Sequence, residues 1–122
     1  MSPAAPLTER HCQPREGEAA LTAEAARLLL AQLTNWTLDA KTGVIERTWR
    51  FKNFHETMAF VNAVAWVAHR EDHHPDLDVG YNRCHVKFHT HSVNGLTEND
   101  FICAAHIDAL GGRSQSEIAT GR

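Results

Sequence analysis

Strict alternation of apolar and polar residues in two separate stretches limits this chain to a fold that contains β-hairpins. The first stretch joins a strand at residues 44–51 to a shorter one at 36–38, across a turn that ends at Gly43. The second joins residues 77–81 to residues 84–88 across a two-residue turn. Strands connected by short turns are antiparallel, so the sequence predicts a four-stranded antiparallel sheet.

Apolar residues recur at helical spacing in three further segments, at residues 22–35, 53–73 and 97–110. The middle segment has the clearest start, because Asn53 followed three positions later by Glu56 resembles a capping box. The predicted order is therefore α-β-β-α-β-β-α. This order indicates an α+β fold whose helices pack on one face of the sheet.

The two ends of the chain lack this patterning. Residues 1–20 contain three of the four prolines together with mixed charges, and we expect them to form a mobile leader. The folded domain is expected over residues 21–112, with Gly111 and Gly112 ending its last helix, and residues 113–122 form a polar tail. A chain of 122 residues has the size of a single domain.

Charge and composition exclude several classes of function. The net charge of −3 provides no basic surface for nucleic acid or for an anionic membrane. No apolar run reaches the roughly 20 residues of a membrane-spanning helix, and the first residues lack the pattern of a signal peptide. The three cysteines contain no CxxC pair, which favours neither a disulfide framework nor a cysteine zinc site. We expect a cytoplasmic protein.

The predicted sheet has two edge strands whose outer backbone groups are unpaired. Proteins commonly cover such edges, often with a second copy of the same chain. We therefore expect a homo-oligomer, either a homodimer or a homotetramer.

Histidine is unusually frequent, with nine in the chain and seven of these between positions 55 and 91. An imidazole exchanges protons near neutral pH, so a convergent group indicates acid–base catalysis or metal binding. His69 and His73 have the i, i+4 spacing of a zinc-binding helix, but the glutamate of that motif is missing and Pro75 ends the helix directly after His74. A metal site is therefore not favoured here.

Structural explanations account for the same histidines when each is taken alone. His85 and His89 share the polar face of a strand and are expected to be solvated, and His91 continues that face. His73 and His74 suit the polar C-terminal end of a helix. An aspartate three residues after Thr97 suits a capping box. Spacing alone leaves the catalytic and the structural interpretations open.

Taken together, these residues resemble the pattern of the pterin-4a-carbinolamine dehydratase family. That pattern consists of a charged residue, His-His-Pro after three positions, and then an aromatic residue, a histidine and an aspartate at set intervals. The matching residues in this chain are His69, His73, His74, Pro75, Tyr81, His91 and Asp100. The similarity covers roughly residues 21–110 and includes several independent intervals.

The resemblance implies a reaction that needs neither cofactor nor metal. A 4a-hydroxytetrahydropterin, left when an aromatic amino-acid hydroxylase has used a reduced pterin, loses water and becomes quinonoid dihydropterin. The resemblance implies His73 and His91 as the acid–base residues and His74 as a group that holds the substrate and assists. It implies substrate-binding or orienting roles for a second set, namely His69, Pro75, Tyr81 and Asp100.

The chain departs from the family pattern at two positions. Members such as the mammalian enzyme have glutamate where this chain has His69, and some have tryptophan where it has Leu77.

Two alternatives remain at this point. Relatives of the family act without catalysis, as dimerisation cofactors of a homeodomain transcription factor or as Rubisco assembly chaperones, but such a role gives no physical reason for the full histidine set. A histidine metal-binding protein would use Cys84 with His85 and His89 as additional ligands. Period-two geometry points Cys84 away from both histidines, which weakens this third hypothesis.

Overall fold

Both predicted hairpins are present and join into one four-stranded antiparallel sheet in this computed structural model, which describes residues 5–110. The strands are β1 (Thr37–Asp39), β2 (Val44–Arg50), β3 (Asp76–Val79) and β4 (Arg83–Phe88). Their order in the sheet is β1-β2-β4-β3, so the two hairpins meet where β2 pairs with β4. Ile45 lies opposite Phe88, and Trp49 lies opposite Cys84. This register places the apolar residues of both strands on one side of the sheet.

Three helices cover the apolar side of the sheet. They are α1 (Ala23–Leu30), α2 (Phe54–Glu71) and α3 (Glu98–Asp108). The predicted helix starts are present, because the side chains of Thr22 and Asn53 accept backbone N–H groups and Thr97 begins α3 with a capping box. Two short 3₁₀ helices, Leu7–Glu9 and His91–Val93, were not predicted. The predicted α+β fold and its element order are confirmed.

The first helix is shorter than the sequence predicts, ending at Leu30 rather than near Asn35. Turns follow it, and Asn35 has a left-handed backbone conformation with φ of 66°. Asparagine tolerates this conformation better than most residues. The turn places Trp36 in the core, where its indole ring is buried.

The hydrophobic core lies between the helices and the inner strands β2 and β4. Its fully buried side chains include Ile45, Val64, Val86, Phe88, Phe101 and Ile102. The ring of Trp49 contacts both Trp36 and Phe60, with centroids 5.5 and 4.8 Å apart respectively. Burial of these large side chains supplies the main stabilisation of the domain.

Arg47 breaks the alternation of β2 because it lies on the apolar side of the sheet, yet it is buried there. Its Nη1 donates to Asp108 Oδ1 over 2.8 Å and to the Thr34 carbonyl over 2.9 Å, and its guanidinium lies 4.3 Å from the centre of the Trp49 ring. Trp36 Nε1 donates to the same Asp108 oxygen over 2.9 Å. These contacts connect the end of α3 to the sheet and to the turn after α1.

The environment of Asp108 has opposing effects on its ionisation. Burial is the larger effect and raises the pKa of the Asp108 carboxyl above its usual value, while the hydrogen bond from Trp36 and the charge of Arg47 oppose that rise. The two neighbours thus offset part of the effect of burial on this pKa.

Residues 5–20 contact the domain at several points, and the mobility expected of residues 1–20 stays a prediction. Leu7 belongs to the hydrophobic core and is 2% exposed. Asn99 of α3 exchanges hydrogen bonds with the backbone and with one arginine of this segment, and Glu71 of α2 accepts two more. The composition of the segment did not reveal these partners, because they lie on the two distant helices.

Some predictions concern parts of the chain that lie outside the described residues. These are the helix stop at Gly111 and Gly112 and the polar tail over residues 113–122. The limits of the domain therefore stay a prediction.

Within residues 5–110, no helix combines the length and the apolar character needed to cross a membrane.

The ion pair between the buried Arg47 and the half-buried Asp108 gives a first prediction. Replacing Asp108 by alanine removes the carboxylate that faces a buried guanidinium, and we expect the free energy of unfolding to fall by about 3–5 kcal/mol. Urea denaturation followed by tryptophan fluorescence measures this loss. The matched control is Asp78→Ala, which breaks the exposed Asp78–Arg83 pair of 3.4 Å and should change stability little. Equal losses in the two variants would contradict the role given to the Arg47–Asp108 pair.

Candidate active site

The His73-His74-Pro75 segment leaves the C-terminal end of α2 at a sharp turn. Asp72 adopts a left-handed conformation with φ of 53°, and the backbone N–H of His73 donates to the Ala68 carbonyl over 3.1 Å. This geometry is a common helix ending, and proline cannot continue the helix. As a result, the side chain of His73 turns back toward the start of α3.

The hydrogen-bond partner of that histidine is Asp100, whose side chain is fully buried. His73 Nε2 donates to Asp100 Oδ1 over 2.6 Å. The other carboxylate oxygen accepts from Thr90 Oγ1 over 2.8 Å and from the Thr97 backbone N–H over 3.0 Å, which completes the capping box of α3. Asp100 therefore contacts a histidine through one carboxylate oxygen and completes the capping box of α3 through the other.

The imidazole of His73 is held in one orientation by two neighbours. Its plane lies nearly parallel to the Phe88 ring, with an angle of 11° and a centroid separation of 5.7 Å. Because Nε2 donates to the carboxylate, Nδ1 carries the free lone pair, and no hydrogen-bond partner occupies Nδ1 within residues 5–110. With its side chain 12% exposed, His73 retains limited access to solvent.

His91 directly follows a member of this hydrogen-bonded group in the chain. Thr90, which is buried, directly precedes it, and Thr90 Oγ1 contacts both Asp100 and Thr97 Oγ1. The sequence predicts His91 on a strand, but it begins a short 3₁₀ helix instead, because the chain turns back through Asn94 with φ of 51° to reach α3. His91 is exposed.

Its neighbour His89 contacts it edge to face, with ring centroids 4.9 Å apart, and donates from Nδ1 to the Gly43 carbonyl over 2.7 Å. His89 thus has a defined hydrogen bond, whereas we expected it to be solvated.

The remaining predicted residues are more open. His69 and His74 are exposed, Tyr81 is 66% exposed in the turn between β3 and β4, and Pro75 is half-buried. Within residues 5–110, no side-chain hydrogen bond or ion pair links these residues to His73 or Asp100. Their roles as substrate-binding groups stay a prediction.

The expectation that His85 is simply solvated is wrong. It is half-buried on the open face of the sheet, where Nε2 contacts Glu46 Oε1 over 2.7 Å and Nδ1 contacts Thr48 Oγ1 over 2.5 Å. Cys84 points to the opposite side and is fully buried, which raises the pKa of its thiol to about 11. A buried, protonated thiol on the other face argues against the third hypothesis, in which Cys84 and the strand histidines share a metal.

Thr90 and Phe88 contact Asp100 and His73 respectively, and neither residue is predicted from the sequence. A signal was available, because positions 84, 86, 88 and 90 continue one phase of β4, and the first three are apolar. A threonine at an alternating position that points into the core needs a hydrogen-bond partner, and Asp100 provides it.

Known proteins resemble this chain over most of its length. A sequence model of the family described as pterin 4 alpha carbinolamine dehydratase matches residues 19–110. A protein of Legionella pneumophila named "Putative pterin-4-alpha-carbinolamine dehydratase" is 58% identical over 106 residues, which cover 85% of this chain and 94% of that protein. A protein of the same name from Nitrosospira multiformis is 53% identical over 105 residues, with 85% and 91% covered.

Two solved structures have a similar fold. One is described as a transcriptional coactivator/pterin dehydratase from Brucella melitensis; its TM-score is 0.69 at 32% identity, and the match covers 83% of this chain and 99% of that one. The other is described as a pterin dehydratase-like protein that is a RuBisCO assembly factor in the alpha-carboxysome. Its TM-score is 0.56 over 66% of this chain and 94% of that one, and at 23% identity it shows similarity of fold alone.

The His73–Asp100 contact predicts a definite imidazole tautomer. We expect His73 to carry its proton on Nε2, and we expect Asp100→Asn to mix the tautomers because an amide can either donate or accept. Two-bond ¹H–¹⁵N spectra of the histidine rings distinguish these forms. His89 is the internal control, since its Nδ1 donates to a backbone carbonyl and should keep that tautomer in both proteins. An Nδ1-protonated His73 in the unmodified protein would contradict the geometry.

Proposed function

This chain belongs to the pterin 4 alpha carbinolamine dehydratase family, and from that membership we propose that it removes water from a 4a-hydroxytetrahydropterin to give quinonoid dihydropterin. The observation that carries the proposal is the buried Asp100 carboxylate, which holds His73 and, through Thr90, the segment that presents His91. A histidine oriented by a carboxylate is suited to accepting a proton at its opposite nitrogen.

The dehydration needs two proton transfers. The C4a hydroxyl must gain a proton to leave as water, and the ring nitrogen N5 must lose one as the new double bond forms. We assign the removal of the N5 proton to His73, because the Asp100 carboxylate stabilises the imidazolium that results. We assign protonation of the leaving hydroxyl to His91, which is exposed and directly follows Thr90 in the chain.

The remaining predicted residues are assigned to substrate binding. His74 follows His73 directly and is exposed, which suits a group that holds the pterin and assists the transfers. Pro75 fixes the exit of this segment from α2. Tyr81 and His69 offer an aromatic ring and an imidazole at the surface. His69 stands where better-known relatives carry a carboxylate, so its contribution should be secondary.

The proposed setting follows from the substrate. A 4a-hydroxytetrahydropterin is the product of an aromatic amino-acid hydroxylase, so the proposal places this chain in pterin recycling beside such an enzyme. The two proton transfers involve neither cofactor nor metal. A cytoplasmic location remains the expectation from the sequence.

A binding role is the second candidate. It is favoured by the description of the Brucella melitensis structure, which names that protein both a transcriptional coactivator and a pterin dehydratase. A protein of this fold can therefore be considered for both roles at once. A binding role alone predicts that substitution of the histidines leaves the function intact, which distinguishes it from catalysis.

Substitution of His73 and His91 tests the catalytic proposal. Each alanine variant should lower turnover by about 10²-fold or less, because this dehydration also proceeds unaided in water and leaves a small barrier to remove. The double variant should be scarcely slower than the slower single variant if the two residues act as one unit. Stopped-flow assays on freshly made 4a-hydroxytetrahydropterin measure these rates.

The control for this experiment is His69→Ala, which should lose less activity than either variant of the central pair. Thermal melts of all variants exclude unfolding as the cause. Full dehydratase activity in folded His73→Ala and His91→Ala would overturn the proposed centre and favour the binding role.

The edge strands predict the state of assembly. Within residues 5–110, the outer edges of β1 and β3 have no strand partner, and β3 is followed by the exposed ring of Tyr81. We expect a homodimer or a homotetramer, because a second copy covers such edges. Light scattering at micromolar concentration measures the mass in solution. A monomer under these conditions would refute the expectation.

A further inference from the structure

A second cluster of histidine and carboxylate side chains lies where the N-terminal segment meets α2 and α3. It consists of His11, Glu71 and His106, and it includes none of the residues assigned to the pterin site. One ligand atom from each of the three lies within 4.8 Å of the others. The two imidazole rings are stacked with centroids 5.8 Å apart, and His11 Nδ1 contacts Glu71 Oε2 over 2.8 Å.

We propose that His11, Glu71 and His106 bind a divalent transition-metal ion of the zinc class. Two imidazoles and one carboxylate form a ligand set that zinc commonly uses, with water in the fourth position. Metal–ligand bonds of about 2.0–2.2 Å place neighbouring ligand atoms roughly 3.4 Å apart in a tetrahedron. Small rotations of side chains that already converge are enough to reach that distance.

The groups behind two of the three ligands, His106 and Glu71, already have the arrangement that a metal site requires. His11 Nδ1 donates to the Glu71 carboxylate, so His11 must give up that proton when a metal binds through this atom. His106 Nε2 donates to the Arg10 carbonyl over 2.8 Å, so the lone pair of this imidazole lies on Nδ1. Glu71 Oε1 accepts the backbone N–H of Cys12 over 2.8 Å, which fixes the carboxylate and leaves Oε2 toward the two histidines. Metal-binding histidines and carboxylates are typically oriented by such outer hydrogen bonds.

The charge of the cluster also favours a cation. The Glu71 side chain is 2% exposed, and its carboxylate accepts hydrogen bonds from the Cys12 backbone, His11 and Arg70. A buried carboxylate requires a positive partner.

Arg70 now occupies part of this position. Its Nε donates to Glu71 Oε2 over 3.1 Å, and its Nη2 donates to His106 Nδ1 over 3.2 Å, so it contacts two of the three ligands. The Arg70 side chain is 36% exposed, and its guanidinium also lies 4.8 Å from the centre of the exposed Trp66 ring. When a metal binds, Arg70 can keep its contact with that ring and release the two ligands. The metal and Arg70 thus compete for one site.

A metal at this position would join three separate elements, the N-terminal segment, α2 and α3. Its effect would be to hold residues 5–20 on the domain. The proposal is independent of the dehydratase reaction, since none of the three ligands belongs to the proposed catalytic group.

Titration of the untagged full-length chain with Zn²⁺ tests the site. Calorimetry should give one tight site per chain, and Co²⁺ should give the visible absorption of a four- or five-coordinate ion. His11→Ala and His106→Ala should each weaken this site by more than the roughly 10–100-fold that loss of an outer hydrogen bond costs. His11→Ala is the safer variant because this side chain is 70% exposed and its removal leaves the core intact.

Arg70→Ala separates a metal site from a simple network of ion pairs. Removal of the competing cation should tighten zinc binding by roughly tenfold, whereas an ion-pair network without a metal gives no such gain. His55→Ala is the matched control, as it removes another exposed histidine of α2 and should change nothing. His91→Ala checks the other histidine group and should also leave the tight site intact.

Chelation gives an independent readout. Removal of the metal by EDTA should lower the melting temperature and speed proteolysis within the N-terminal segment, while dehydratase turnover stays unchanged. The proposal is overturned if the tight site is absent, if it survives loss of His11 and His106, or if it disappears with His91. Loss of turnover in the histidine variants of the pterin site bears only on the proposed reaction.

Discussion

The rest of the structure depends on the buried carboxylate of Asp100. A charged group removed from water is tolerated only when several donors surround it, and Asp100 has three, supplied by three different parts of the chain. Thr97 is the start of α3, Thr90 follows β4, and His73 leaves the end of α2. Because one side chain satisfies all three, the same contact sets the start of a helix, the path of a loop and the direction of an imidazole. The proposed catalytic centre and the fold therefore share this residue.

Local pattern was sufficient to predict the fold but not its exceptions. The alternation of β2 and β4 and the capping residues of the helices are properties of neighbouring positions, and the predicted elements followed from them. Arg47 interrupts the alternation of β2, yet its partner Asp108 lies 61 residues away and gave no local signal. The shorter α1 has a similar explanation, since burial of Trp36 outweighs the apolar spacing that continues to Leu33.

The candidate site was only partly accessible from the sequence. The resemblance brought His73, His91 and Asp100 together as a group, although their spacing alone did not. The structure adds the direct His73–Asp100 contact and the role of Thr90, neither of which a linear pattern specifies. His11 and His106 escaped notice because 95 positions separate them, and residues 1–20 have the composition of a segment without a partner. The composition of a segment does not show which residues of other elements it will contact.

The pairing of β2 with β4 has a consequence for how the chain folds. Ile45 and Phe88 are partners in the sheet but are separated by 43 residues, so the two hairpins cannot unite until a long loop has closed. Helix α2 provides 18 residues of that loop, and its formation replaces part of a flexible connection by a rod. Early formation of this helix would reduce the entropy lost in closing the loop. We therefore expect docking of the two hairpins across α2 to limit the folding rate, as for other proteins rich in non-local contacts.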